Sequence, residues 1–176
     1  MNKNLLIIGA GIFAVIAYEI AQEMKCFDKI DFVDDERIVA ENGIAVLGTT
    51  QEIYNSFGNY TNAVVAIGNP DIRLDMLHKI TEKTEMTIVS LVSPRAYVSP
   101  SARIECGSVI EPMAVVHAGC VISKGCIISA GAVVNHASTC GEGVHVDCNA
   151  TVEGYCSVPS KTKVCCGAVY EKEDQR

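Results

Sequence analysis

Residues 98–169 read VSPSAR IECGSV IEPMAV VHAGCV ISKGCI ISAGAV VNHAST CGEGVH VDCNAT VEGYCS VPSKTK VCCGAV. Each block opens on an apolar residue: Val98, Ile104, Ile110, Val116, Ile122, Ile128, Val134, Cys140, Val146, Val152, Val158 and Val164. Four places later comes a small one: Ala102, Ser108, Ala114, Cys120, Cys126, Ala132, Ser138, Val144, Ala150, Cys156, Thr162 and Ala168. No residue is inserted or lost along the run. A fixed period of this kind marks a hexapeptide β-helix, in which each repeat buries its apolar residue only by stacking on its neighbours. Turns such as Glu105-Cys106-Gly107 and Ser123-Lys124-Gly125 supply corners between very short strands. An ordinary sandwich of short strands would not hold six-residue phase for so long.

The residues before this run have a different grammar. Asn4–Ile8 reads as a strand, Ile12–Lys25 as a helix, Lys29–Val33 as a second strand and Asn62–Ile67 as a third. Asp71–Thr81 follows as a helix and Met86–Leu91 as a fourth strand. Alternation of this kind predicts a parallel α/β sheet. The expected division is therefore an α/β domain over 1–92, the β-helix over 93–170 and a polar tail over 171–176.

Gly9-Ala10-Gly11-Ile12-Phe13-Ala14 falls after the first strand and opens the first helix. Glycines there permit a tight turn, and the helix N-terminus offers unpaired N–H groups to an anion. Asp34 and Asp35 end the second strand, at the distance expected of a ribose-binding acid. Alone, this pattern predicts an NAD-type site. The domain nevertheless stops near residue 90, half a dinucleotide fold, which favours a single nucleotide. Nothing after it offers a hydride acceptor.

A net charge of −7 without a Lys/Arg cluster argues against nucleic acid. The apolar run Leu5–Ile20 has the outline of a signal peptide, but it is short for a membrane span, punctuated by Gly9-Ala10-Gly11 and closed by Glu19. Cytoplasmic residence is expected. Nine cysteines are an odd number with no Cys-x-x-Cys or His/Cys metal spacing. Cys120, Cys126, Cys140 and Cys156 occupy inward positions, so reduced thiols acting as small hydrophobes are expected, with no metal.

Taken together, a half-size Rossmann-like domain followed by hexapeptide repeats resembles the PglD/NeuD-like sugar-nucleotide acetyltransferases. The carriers are Gly9-Ala10-Gly11, Asp34-Asp35, Ala66-Ile67-Gly68-Asn69 with Arg73, the segment 128–136 ending in His136, and Cys140–Val146. The resemblance implies a left-handed β-helix with three hexapeptides per coil, about four coils over the twelve blocks, assembled as a homotrimer with clefts between subunits. It implies acetyl-CoA as co-substrate and a UDP-linked 4-amino sugar as acceptor, in bacterial glycan biosynthesis. His136 matches the family's general base and His145 its CoA-contacting histidine. Gly9, Ala10, Gly11, Ile12 and Phe13 match the substrate-binding turn, with Asp34, Asp35, Gly68 and Asn69 around the nucleotide. Lys161 and Lys163 are candidates for the CoA phosphates.

Three departures bear on activity. Ala137 stands where the family carries an acid that orients the base, and Ser129 where it carries asparagine. Glu153, one coil above Asn135, and Glu142 are the expected replacements for the acid within the chain, an adjacent subunit being the other source. After Val169 only Tyr170–Arg176 remain, where the family commonly adds a coil and a CoA-contacting tail. O-acetylation of a sugar such as sialic acid, or of another small acceptor, and a non-catalytic nucleotide-sugar-binding trimer are the competing readings.

Overall fold

A computed structural model of the protein describes residues 3–171. The chain divides into two compact units, Met1–Leu91 and Val92–Arg176. The polar tail expected over 171–176 lies, beyond Glu171, outside the described residues.

In the first unit, β1 (Asn4–Ile8), β2 (Lys29–Val33), β3 (Asn62–Val65) and β4 (Thr87–Ile88) form a parallel sheet of order β2-β1-β3-β4. Helices α1 (Ile12–Met24) and α2 (Pro70–Lys83) are the crossovers. The apolar run that mimics a leader is thus split between β1, buried at every residue, and α1, which buries Ala14, Val15, Ala17, Ile20 and Ala21. No helix among the described residues is long and apolar enough to cross a membrane. Because β2 and β3 lie on opposite sides of β1, the sheet has a switch point between β1 and β3, at whose carboxyl end open α/β sheets bind their ligands.

The second unit is a left-handed parallel β-helix of fourteen two-residue strands on three faces. The first face holds Tyr97–Val98, Val115–Val116, Val133–Val134, Thr151–Val152 and Val169–Tyr170. The second holds Arg103–Ile104, Val121–Ile122, Thr139–Cys140 and Ser157–Val158. The third holds Leu91–Val92, Val109–Ile110, Ile127–Ile128, His145–Val146 and Lys163–Val164. The ladder therefore runs one block further at each end than the periodicity from Val98 to Val164 indicates. Its first strand, Leu91–Val92, takes the end of the segment expected as the sheet's fourth strand.

Each strand's second residue points inward, and Ile110 through Val164 at this position are no more than 5% exposed. At about 1.5–3 kcal/mol for a fully buried aliphatic side chain, this column is the main source of the prism's stability. The corners obey a rule too. From Ile104 onward, the residue three places after each inward one has a positive φ, at Gly107, Met113, Gly119, Gly125, Gly131, Ala137, Gly143, Asn149, Tyr155, Lys161 and Gly167. The small inward residues also satisfy corner carbonyls fifteen positions ahead. Ser138 Oγ donates to Glu153 O at 2.6 Å, Ser108 Oγ to Ser123 O at 2.9 Å and Cys120 Sγ to Asn135 O at 3.0 Å. The inward cysteines are buried, as expected, and Cys120 and Cys126 serve additionally as donors. Burial pushes the Cys140 thiol far up, so it stays protonated.

Candidate active site

His136 stands at the corner between Val133–Val134 and Thr139–Cys140, with its side chain exposed. The Asn135 amide oxygen accepts both the His136 backbone N–H and a bond from His136 Nδ1, each at 2.9 Å. The backbone N–H can only donate, so the atom facing it is the oxygen. Nδ1 must then donate as well, and the lone pair of the neutral ring is left on Nε2. One coil on, Gly154 lies against the ring: a Cβ there would come 2.8 Å from Nε2 and 2.9 Å from Cε1. Tyr155 packs edge-on against the imidazole, centroids 5.1 Å apart and planes at 88°. Cys120 Sγ pins the corner from inside by donating to Asn135 O at 3.0 Å.

The imidazole's partner is thus Asn135. Glu153 and Glu142, expected to replace the missing acid, instead use their backbone carbonyls, accepting from Ser138 Oγ and from Lys161 N–H. Ala137 occupies a left-handed corner, φ 55°, and its N–H donates to Ala118 O.

His145 is elsewhere on the prism. It faces outward from the third face, and the corner bearing His136 joins the first and second faces. Within one chain the two histidines sit on opposite sides of the prism. Lys163 lies one coil above His145 on the same face, and Lys161 at the adjoining corner. Lys163 Nζ pairs with Asp147 Oδ2 at 2.8 Å, which holds the Asp147 carboxyl below its usual range and raises the lysine. His145 Nε2 lies 3.0 Å from Ser129 Oγ and 3.7 Å from Asp147 Oδ1. Ser129 Oγ donates to Glu111 Oε1 at 3.3 Å, and Glu111 Oε2 accepts from Ala130 N–H at 3.0 Å. Glu111 is 6% exposed, and burial pushes its carboxyl up.

In the first unit the glycine turn and the 66–69 loop meet at the switch point. Gly9 has φ +108° and its Cα faces Ala66 O, where a Cβ would stand at 2.8 Å. Gly9→Ala is expected to cost on the order of 1–3 kcal/mol through backbone strain and this clash. A lowered thermal midpoint together with weakened nucleotide binding checks it. Helix α1 begins after Gly11 with no side-chain cap, so the N–H groups of its first turn are presented at the switch point without one. Ile12, 69% exposed, stands at that opening.

The polar residues expected to hold the nucleotide are engaged within the chain. Asp34 accepts from Ala10 N–H at 2.8 Å and from Glu36 and Arg37 N–H, tying β2 to the glycine turn. Asp35 accepts from Thr50 N–H and Oγ1, both at 2.8 Å. Asn69 caps α2 by accepting from Asp71 and Ile72 N–H. The buried Arg73 donates to Ile67 O at 2.7 Å and Gly68 O at 2.8 Å, fixing the loop from beneath. These residues shape the loops at the switch point, where the Gly9 and Ala10 N–H groups are taken by Val33 O and Asp34 and uncapped N–H groups begin at the first turn of α1. Among the described residues no cluster of His, Cys, Asp or Glu could hold a metal ion.

Comparison with known proteins places this architecture. The model of the PglD N-terminal domain family matches residues 4–80. The acetyltransferase domain of PglB from Neisseria gonorrhoeae FA1090 is 30% identical, with 97% of this chain and 92% of that one covered and a TM-score of 0.84. A second structure of that domain, in complex with acetyl coenzyme A, matches at 28% identity over the same shares, with a TM-score of 0.84. A variant of perosamine N-acetyltransferase from Caulobacter crescentus, in complex with CoA and GDP-perosamine, is 20% identical over 96% of this chain and 89% of that one, with a TM-score of 0.81; at that identity the likeness is one of fold. No curated protein matches the chain in sequence. The chain belongs to the PglD/NeuD-like family of hexapeptide-repeat acetyltransferases.

Proposed function

We propose that the protein transfers an acetyl group from acetyl-CoA to the amino group of a UDP-linked 4-amino sugar, with His136 as general base. The observation that carries this reading is the fixed imidazole: Nδ1 donates to Asn135 and Nε2 bears the lone pair over Gly154. The sugar nitrogen attacks the thioester carbonyl, His136 Nε2 takes the proton released from nitrogen, and the C–S bond breaks to release CoA, to whose sulfur that proton passes. The first turn of α1, which follows the glycine turn and has no side-chain cap, receives the diphosphate through its backbone N–H groups. Lys163 and Lys161 supply positive charge for the CoA phosphates, beside His145. Family membership, and the acetyl-CoA bound by the related domain from Neisseria gonorrhoeae, support the donor. Asn135 orients the imidazole where Ala137 supplies no acid, which favours the catalytic reading over a non-catalytic one.

A competition assay tests the acceptor. With UDP- and GDP-linked 4-amino sugars and a free sialic acid present together, the acetyl group is expected on the UDP-linked amine. Acetyl found only on a hydroxyl, or only on the GDP sugar, replaces this acceptor assignment.

Opposite placement of His136 and His145 supports a site made by two copies. The first face, which runs into the His136 corner, carries Tyr97, Val115, Val133 and Val169 outward, with Tyr97 and Val169 more than half exposed. A second prism against this face would cover them and bring its own His145 face to the corner, giving the cyclic trimer the family implies. His136→Ala and His145→Ala, each impaired alone, then complement when refolded together. Random cyclic trimers leave both histidines intact in about a quarter of clefts, so about a quarter of wild-type activity returns at subsaturating acetyl-CoA. Additive residual activity with no recovery contradicts the shared cleft.

A further inference from the structure

We infer that Glu111 is a positioning residue that fixes the tautomer of His145 through Ser129; the functional consequence rests on His145 lying in the acetyl-CoA site. Glu111, Ser129 and Asp147 follow the inward residues of three successive strands on the third face, so they stack at one corner at intervals of eighteen residues. The Glu111 carboxylate is buried, and both its oxygens accept: Oε2 from the Ala130 backbone N–H, Oε1 from the Ser129 hydroxyl. Ser129 has a single proton, and that proton points at Glu111. Its contact with His145 Nε2 at 3.0 Å therefore requires the histidine to donate. Asp147, whose Oδ1 lies 3.7 Å from the same nitrogen, is a second acceptor on that side and is itself held by Lys163. Ser129 Oγ and Asp147 Oδ1 both face Nε2 as acceptors, so His145 carries its proton there.

The two histidines are thereby set in opposite tautomers: His136 with the proton on Nδ1, His145 with it on Nε2. A base needs a bare nitrogen, which His136 has at Nε2; with its Nε2–H directed at Ser129 and Asp147, His145 instead keeps a fixed lone pair at Nδ1, the complement of a donor such as a pantetheine amide N–H. The Glu111–Ser129 pair gives His145 a defined polarity that the short Ser129 side chain alone could not impose, because a hydroxyl both donates and accepts.

Replacing the carboxylate reverses the chain. In Glu111→Gln the amide oxygen must face the Ala130 N–H, so the NH2 group faces Ser129 Oγ. Ser129 then accepts from the amide and donates its own proton to His145 Nε2, moving the ring proton to Nδ1. Long-range proton–nitrogen NMR on protein labelled at its four histidines reads the tautomer directly, with His145 assigned by its absence from His145→Gln. The expected result is an Nε2–H ring in the wild type and an Nδ1–H ring in Glu111→Gln, with KM for acetyl-CoA raised about tenfold and kcat changed far less. Ser129→Ala, which leaves Glu111 its Ala130 bond, is the companion variant and should leave the ring a mixture of tautomers. An Nδ1–H ring in the wild type, or a tautomer unmoved by both variants, overturns the inference, and a fall in thermal midpoint without a tautomer change assigns Glu111 a structural role only. The NMR arm needs no substrate, so absence of acetyl transfer in the wild type counts against the proposed function while leaving the tautomer result to be judged separately.

Discussion

His136→Ala lowers kcat/KM for acetyl transfer by about 10²–10⁴-fold, the range expected when a positioned general base is removed. The thermal midpoint stays close to wild type, because the side chain is exposed and contributes nothing to the buried column of the prism. Asn135→Ala follows in milder form. The ring survives but loses the acceptor that keeps Nδ1 protonated, so a fraction of molecules present N–H where the lone pair is needed. Steady-state kinetics on the two variants, beside their melting curves, separate loss of the base from loss of its orientation. Activity in His136→Ala within a fewfold of wild type assigns proton transfer to another group.

Gly154→Ala is the second large effect, and its cause is space alone. Gly154 does not adopt a positive φ, so an alanine meets no backbone strain there. Its methyl group would nevertheless stand 2.8 Å from His136 Nε2, and the imidazole must swing away. Displacing a catalytic group by about 1 Å can cost on the order of 10²-fold in rate, and kcat is expected to fall by about that much. Stability should hold or rise slightly, since alanine restricts the unfolded chain more than glycine does. A variant that melts like the wild type yet turns over far more slowly marks the ring's pose as the working one. Full activity in Gly154→Ala means the ring does its chemistry in another rotamer.

The Gly154 effect rests on a neighbour eighteen residues away, and there the legibility of the sequence has its limit. The six-residue phase from Val98 to Val164 predicts the prism because burial is periodic and local. Every inward position is decided by one side chain's size and polarity. It also places Cys120, Cys126, Cys140 and Cys156 inside, although not the bonds that Cys120 and Cys126 donate, which depend on corner carbonyls fifteen residues away. Left-handed corners are visible where glycine or Asn149 fills them and invisible at Met113, Ala137, Tyr155 and Lys161, where the prism imposes a conformation those residues do not prefer.

The candidate site's histidines are visible in the sequence, but their partners are not. His136 and His145 stand out as residues, but tautomers are set by partners. Asn135, adjacent to His136, is an amide where the sequence leads one to expect a carboxylate. The same step of eighteen that relates Asn135 to Glu153 leads from His136 to Gly154 and from Ser129 back to Glu111, and it would have found both. In the first unit, Asp34 and Asp35 have the spacing of nucleotide-binding acids while their oxygens bind Ala10, Glu36, Arg37 and Thr50. Spacing reports which residues reach a crevice. It does not report whether the loop needs them first.

The central claim is acetyl transfer to a nucleotide-linked amine, and the most direct test follows the acetyl group itself. Wild-type protein is incubated with isotopically labelled acetyl-CoA and a UDP-linked 4-amino sugar, and the sugar is read by mass spectrometry. Mass is the suitable readout because exposed thiols at Cys26, Cys106, Cys165 and Cys166 would consume reagents that detect free CoA. The account predicts one labelled acetyl group per sugar, resistant to mild hydroxylamine as an amide is and an ester is not. Binding of both ligands with no labelled sugar formed would contradict it.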